Sequence, residues 1–330
     1  MMTPSTPEKS IRLPLSVAEV DRAAHLRTDE KYLQSAWKDA FVLQFNDEKF
    51  VTNSQQLDIV LGAQLGDYRS ESDYFLGVNQ LANGVVENFF VRNLGVINSV
   101  VDPEQNLEPQ AISASKDENL KSLREIGSFL SPRDIGLAVH AQGLANWHKK
   151  HTRCSQCGAA TTVISGGSVR KCLIDESEHY PRTDSAIIVL VKDDQDRVLL
   201  GRQKVWPKNR FSTFAGFVEP GESFEHCVVR EVSEEAGVSL SKINYLGSQP
   251  WPFPASLMIA FEAITTKPES ARPDGEEIEE IRWFSRADMK AAIASNSLIL
   301  PLEISVARQM INSWYGDSAV TELKGNESWR

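Results

Sequence analysis

Three glutamates, Glu231, Glu234 and Glu235, stand at i, i+3 and i+4 in a stretch of helical pattern. At ~100° per residue they share one ~100° sector of the helix surface. Unit charges ~4–5 Å apart at an effective dielectric near ~20 repel by about 3–4 kcal/mol. Arg230, four residues before Glu234, offsets part of that repulsion, and a divalent cation offsets more. Mg²⁺ and Mn²⁺ prefer hard oxygen ligands and keep positions open for water or substrate phosphate. An isolated E-x-x-E-E is most simply a solvated helix face. As a cation site, it points to metal-assisted chemistry on a diphosphate.

A second set of residues has metal-ligand spacing: Cys154-x2-Cys157-x14-Cys172, with Gly158 after the first pair. Four cysteines in 330 residues make no disulfide framework, and no secretion signal is visible at the start of the chain. The spacing therefore favours metal over disulfide. Three thiolates are three-quarters of a tetrahedral zinc ribbon. Cys227 lies inside the acidic helix and reads as a small core residue.

The elements that must position these groups follow from the pattern. Residues 223–236 read as a helix, with Gly237 as its C-terminal cap. Phe224, Val228, Val232 and Ala236 make a stripe that can dock on a sheet. Strands are expected at residues 186–191 (AIIVLV), 198–200, 216–218, 258–261 and 281–284, the first two as a hairpin. A last helix is expected over 301–315. Leu137, Ala141, Leu144, Ala145 and His148 recur at helical spacing. Residues 102–118 are polar and turn-rich, as a linker would be.

At 330 residues the chain is long enough for two or three domains. Residues 1–15 read as a flexible tail and 16–148 as an N-terminal domain. Residues 149–182 form the cysteine segment and 183–330 a mixed α and β domain. Hydrophobic residues at 41% and charged residues at 24% exclude a mostly disordered chain. No apolar run reaches membrane-spanning length. The net charge of −10 gives no general attraction to nucleic acid. A cytoplasmic protein is expected. No G-x-G-x-x-G follows a strand, so a Rossmann fold has no support.

Residues 216–238, GFVEPGESFEHCVVREVSEEAGV, fit the Nudix box G-x5-E-x7-R-E-U-x-E-E-x-G-U. Gly216, Glu222, Arg230, Glu231, Val232, Glu234, Glu235, Gly237 and Val238 fill its specified positions. Ten residues on, residues 248–256 resemble the SQPWPFPxS signature of the NADH pyrophosphatase (NudC-type) subfamily. The resemblance extends over about residues 120–315. It implies an α+β chain: a Nudix fold, a mixed sheet sandwiched by helices, with a zinc-ribbon-like insert and a separate N-terminal α/β domain. It also implies metal-dependent hydrolysis of NADH or NAD⁺ to nicotinamide mononucleotide and AMP, and removal of NAD caps from RNA.

By the same resemblance Glu231 and Glu235 are ligands of Mg²⁺ or Mn²⁺, with Glu277 and the Ala215 carbonyl completing the shell. Glu276 and Glu280 are rivals of Glu277. Glu234 is a further ligand or a base, and Arg230 orients the glutamates. Gln249, Pro250, Trp251, Pro252, Phe253, Pro254, Ala255 and Ser256 contact the nucleotide. Phe217 and Tyr180 sandwich the nicotinamide ring, with Tyr180 supplied by the same or by the partner subunit, Ala307 lines the pocket through its backbone, and Arg124 supplies a cationic contact. The subfamily's fourth zinc-binding cysteine is replaced by Asp175, with His179 four residues further on. Three outcomes stay open: Asp175 ligates, His179 ligates, or zinc is weakly bound or absent. A homodimer is implied. The alternatives are a Nudix hydrolase of ADP-ribose or another nucleoside-diphosphate derivative, and an inactive NAD- or RNA-binding Nudix module.

Overall fold

The computed structural model describes residues 11–99 and 119–324. The expected linker at 102–118 lies outside them. The chain divides into two compact units. One comprises Val17–Thr183 together with Trp251–Ala255; the other comprises Met1–Ser16, Asp184–Pro250 and Ser256–Arg330.

The N-terminal unit begins with helix α1 (Glu30–Trp37). Strands β1 (Phe41–Asn46), β2 (Lys49–Asn53), β3 (Gln56–Leu57), β4 (Val60–Leu61), β5 (Asp73–Gln80) and β6 (Val86–Asn93) follow. After α2 (Leu94–Ser99) come β7 (Leu120–Ser122), α3 (Leu123–Ile126) and α4 (Pro132–Lys150). The sheet runs β3-β2-β1-β6-β5, with β4 on β1 and β7 on β2. Only β1 and β6 pair in parallel among these strands. Leu33, Trp37, Val42, Phe75 and Phe90 form its core. Helix α4 starts at Pro132, where a missing N–H costs nothing, and Ser131 caps it by accepting the Asp134 N–H at 3.2 Å.

The cysteine segment belongs to this unit. Its strands β8 (Thr161–Ile164), β9 (Val169–Cys172) and β10 (Glu178–His179) pair antiparallel in the order β10-β9-β8. Glu71 anchors it by accepting the Thr162 hydroxyl at 2.5 Å and the Val163 N–H at 3.1 Å. The boundary expected at 148/149 falls in the last turn of α4.

The other unit holds β11 (Asp184–Lys192), β12 (Val198–Gln203), β13 (Phe214–Phe217), α5 (Phe224–Ala236) and β14 (Leu240–Trp251). Then follow β15 (Ser256–Thr265), β16 (Ile278–Phe284), α6 (Arg286–Ala294), α7 (Val306–Tyr315) and α8 (Ala319–Glu322). The sheet order is β14-β15-β11-β12-β16, with β13 on β11. β11 runs parallel to β15 and antiparallel to β12 and β13, so the sheet is mixed. Its alternation separates two cores, which is why AIIVLV is apolar throughout. Ile187, Val189 and Val191 pack with Val228 and Val232 of α5. Ile188 and Leu190 pack with Met310, Ile311 and Trp314 of α7 and Ile293 of α6.

Two expectations differ. Residues 11–15 are not a loose tail: Leu13 and Leu15 are buried, and the Leu15 N–H donates to Gln249 Oε1 at 3.0 Å. The helix expected over 301–315 starts at Val306, because Ser305 supplies the cap by accepting the Arg308 N–H at 3.2 Å, and it is not the last: the short α8 follows it. Among the described residues no helix is long and apolar enough to cross a membrane.

Candidate active site and metal centre

Ser223 starts α5 by accepting the His226 N–H at 3.2 Å. Gly237 ends it at φ 67°, a left-handed conformation in which a side chain would be strained. The buried face is Cys227, Val228, Val232, Glu235 and Ala236. Phe224, expected in the stripe, is exposed. At the first helical position a side chain leans off the N-terminal end instead of over a preceding turn.

The three glutamates sit in different environments. Glu234 has a side chain 60% exposed. Glu231 is mostly buried, and burial raises its pKa against the pull of Arg230. Glu235 is only 4% exposed, and its Oε2 has no hydrogen-bond partner among the described residues. Burial first, then the charges of Glu277, Glu231 and Asp274, push its pKa up to about 8; the Ala215 backbone N–H acts in the opposite direction. Ala215 lies on β13 opposite Ile188 of β11.

Arg230 ties the group together. It grips Glu222 with Nε to Oε1 at 2.9 Å and Nη2 to Oε2 at 3.0 Å, a two-pronged pairing that holds Glu222 well below the usual carboxylate range. Its Nη1 donates to Glu231 at 2.8 Å and to Glu234 at 3.1 Å, and its Nη2 reaches the Phe217 carbonyl at 3.0 Å. Gly216 has a steric role. A Cβ there would come within 1.8 Å of Glu231 Oε1, so only glycine leaves room for that carboxylate.

Glu277 precedes β16, in a turn where Asp274 Oδ1 accepts the Ile278 N–H at 2.8 Å. Gln203 of β12 donates to Glu277 Oε1 at 2.9 Å, and the charge of Glu277 is felt by both Glu231 and Glu235. Its rival Glu280 is taken up by Arg282 at 2.6 Å and Arg202 at 3.7 Å. The sequence offered no signal for Gln203 or Asp274. Hard oxygens, a buried carboxylate oxygen without a donor and mutual carboxylate repulsion suit a divalent cation.

The cysteine segment is more tightly gathered. Among the described residues, one set of candidate ligand atoms lies within 4.8 Å of one another: Cys154, Cys157, Cys172 and Asp175. Cys157 and Cys172 sulfurs are 3.5 Å apart, and the Cys154 thiol donates to Asp175 Oδ2 at 3.4 Å. Tetrahedral zinc with ~2.3 Å bonds would set its ligands ~3.8 Å apart. Backbone N–H groups point at the sulfurs: Gln156 to Cys154 at 3.3 Å, Ile174 and Asp175 to Cys172 at 3.4 and 3.5 Å. Such donors favour thiolates. His179 stays outside the set, in contact with Ser177 Oγ through Nε2 at 3.2 Å.

The proline-rich signature divides. Gln249 is fully buried in the unit that carries α5: its Nε2 donates to the Ile304 carbonyl at 3.0 Å while Oε1 holds Leu15. Both ends of its amide are committed to the fold rather than to a nucleotide. Pro250 and Ser256 are half-buried in the same unit. Residues 251–255 belong to the N-terminal unit. There Pro252 is buried, Pro254 exposed, and Trp251, Phe253 and Ala255 half-buried. The Trp251 and Phe253 rings meet edge-on at 4.8 Å, and the Phe253–Pro254 bond is cis. Arg124 of α3 lies over Phe253 at 4.4 Å and Trp251 at 5.8 Å.

Phe217 is 60% exposed on β13. Tyr180 is exposed in the N-terminal unit, its hydroxyl donating to Glu178 at 2.6 Å. The side chain of Ala307 is buried in the core on the α7 side, which leaves only its backbone for a ligand.

A NUDIX domain family model matches residues 181–301, and an NADH pyrophosphatase zinc ribbon domain model matches 149–180. The chain is 36% identical over 312 residues to the NAD-capped RNA hydrolase NudC of Mycobacterium bovis (strain BCG / Pasteur 1173P2), covering 91% of this chain and 94% of that protein. The same identity and coverage hold for the NudC of Mycobacterium tuberculosis (strain ATCC 25177 / H37Ra). The Homo sapiens NAD-capped RNA hydrolase NUDT12 is 36% identical over 197 residues, 56% of this chain and 42% of that one. Near-complete alignment at this identity, together with the two domain matches, shows that the chain belongs to the Nudix hydrolases, in the NADH pyrophosphatase (NudC-type) subfamily.

Proposed function

We propose that the chain hydrolyses the diphosphate bond of NADH and NAD⁺, giving nicotinamide mononucleotide and AMP, and removes NAD caps from RNA. Support for the substrate comes from the relatives' activity and the aromatic loop. The observation that carries the hydrolase reading is Glu235: a buried carboxylate under the charges of Glu231 and Glu277, with an oxygen that lacks a donor among the described residues. Glu231, Glu235, Glu277 and the Ala215 carbonyl would hold Mg²⁺ or Mn²⁺. When bound, that cation neutralises diphosphate charge and lowers the pKa of coordinated water.

The chain's own groups do the rest. Arg230 keeps Glu222, Glu231 and Glu234 in place. Glu234, the most solvent-accessible of the three helix glutamates, takes a proton from the attacking water. The water oxygen bonds to one phosphorus, the bond from that phosphorus to the bridging oxygen breaks, and two monophosphates leave. Trp251 and Phe253 offer faces to a base, an interaction worth ~1–3 kcal/mol per base, and Arg124 adds positive charge. Phe217 and Tyr180 are assigned to the nicotinamide. Cys154, Cys157, Cys172 and Asp175 would hold a structural Zn²⁺. The protein works as a homodimer in the cytosol.

The test is a substrate panel with Mg²⁺ and with Mn²⁺, products identified by mass. NADH and NAD⁺ should yield AMP ahead of ADP-ribose, FAD and diadenosine polyphosphates. A ranking with NADH and NAD⁺ last would overturn the substrate, and no AMP from any of them would overturn the hydrolase.

A further inference from the structure

The carbonyls of Pro252 and Pro254 are held by side chains rather than by a strand ladder. Gln142 Nε2 donates to the Pro252 carbonyl at 2.9 Å, and Asn146 Nδ2 donates to the Pro252 and Pro254 carbonyls, both at 3.0 Å. The two donors are i and i+4 on α4, one face of one helix. They are 1% and 7% exposed in a stretch otherwise filled by Leu137, Ala138, Ala141, Leu144 and Ala145. Prolines lack N–H groups, so the loop cannot set its own shape by backbone pairing at those positions. Gln142 Oε1 has no hydrogen-bond partner among the described residues. A leucine would avoid that cost, so the useful end of Gln142 is the one that reaches the loop.

We propose that Gln142 and Asn146 are positioning residues that set the Trp251–Phe253 pair in its edge-on arrangement and thereby give the enzyme its preference for a dinucleotide. This rests on the reading that the loop recognises the substrate, and it assigns the N-terminal unit a part in specificity. The experiment uses the full chain with Gln142→Leu, Asn146→Leu and both together, measuring kcat and KM for NADH and for ADP-ribose. The double variant should raise KM for NADH about 10-fold with kcat within about 3-fold. Its preference for NADH over ADP-ribose in kcat/KM should fall by a similar factor. A merely structural role would lower kcat for both substrates in parallel and leave KM alone, which overturns the proposal. Should the double variant not fold, Asn146→Ser decides by the same split, with about a 3-fold rise in KM expected. Trp251→Ala and Phe253→Ala serve as the reference. If they raise KM for NADH while the α4 variants do not, the positioning role fails alone. If they leave it unchanged, the loop's role in recognition fails and the proposal falls with it.

Discussion

Buried yet acidic, Glu235 makes the stability of the protein depend on pH when no magnesium or manganese is supplied. An unfolded glutamate loses its proton near 4.5, whereas the folded one keeps it up to about 8. Its contribution to stability is therefore whole below pH ~4.5 and is lost as the pH climbs to about 8. At ~1.4 kcal/mol per pH step the loss is on the order of 5 kcal/mol. Glu235→Gln should consequently melt higher than the parent at pH 8 and close to it at pH 5, while turnover drops by about 100-fold or more. Equal melting points at pH 8 would show that the carboxylate is not strained. The grouping of Glu231, Glu234 and Glu235 was legible from spacing alone. Their inequality was not, because neighbours ~100° apart on a helix meet either sheet or solvent according to which face docks.

At the scale of elements, α5 was readable to within one residue because it carries its own punctuation, a serine cap and a left-handed glycine. β14 escaped notice. It forms one edge of its sheet, and most of its residues are half-buried or exposed, so it shows no apolar run. The ribbon was legible in its cysteines but left Asp175 and His179 open, and only the fold brings the former into the sulfur set. Asp175→Ala should therefore lower the zinc retained through dialysis against a competing chelator, whereas His179→Ala should retain it like the parent. The reverse result, read by metal analysis of the purified proteins, would exchange the two residues' roles.

Across the whole molecule, two units with separate cores should not melt as one. Calorimetry should resolve two transitions, with zinc removal lowering one and added Mn²⁺ raising only the other. A single transition moved by both would show the units to be thermodynamically fused. The catalytic half was legible because a long motif crosses it; in the N-terminal half the groups that hold the proline-rich loop, Gln142 and Asn146, are single amides with no motif around them. Gln249 carries a consequence for how such signatures are read. Its side chain is a bolt joining the first buried segment of the described residues to the turn before α7, whereas Trp251 and Phe253, two and four places on, are the rings we propose to read the base. Were the protein to drift toward another substrate, the aromatic letters would be free to change while the glutamine stayed, so the second letter of the signature testifies to ancestry and not to diet.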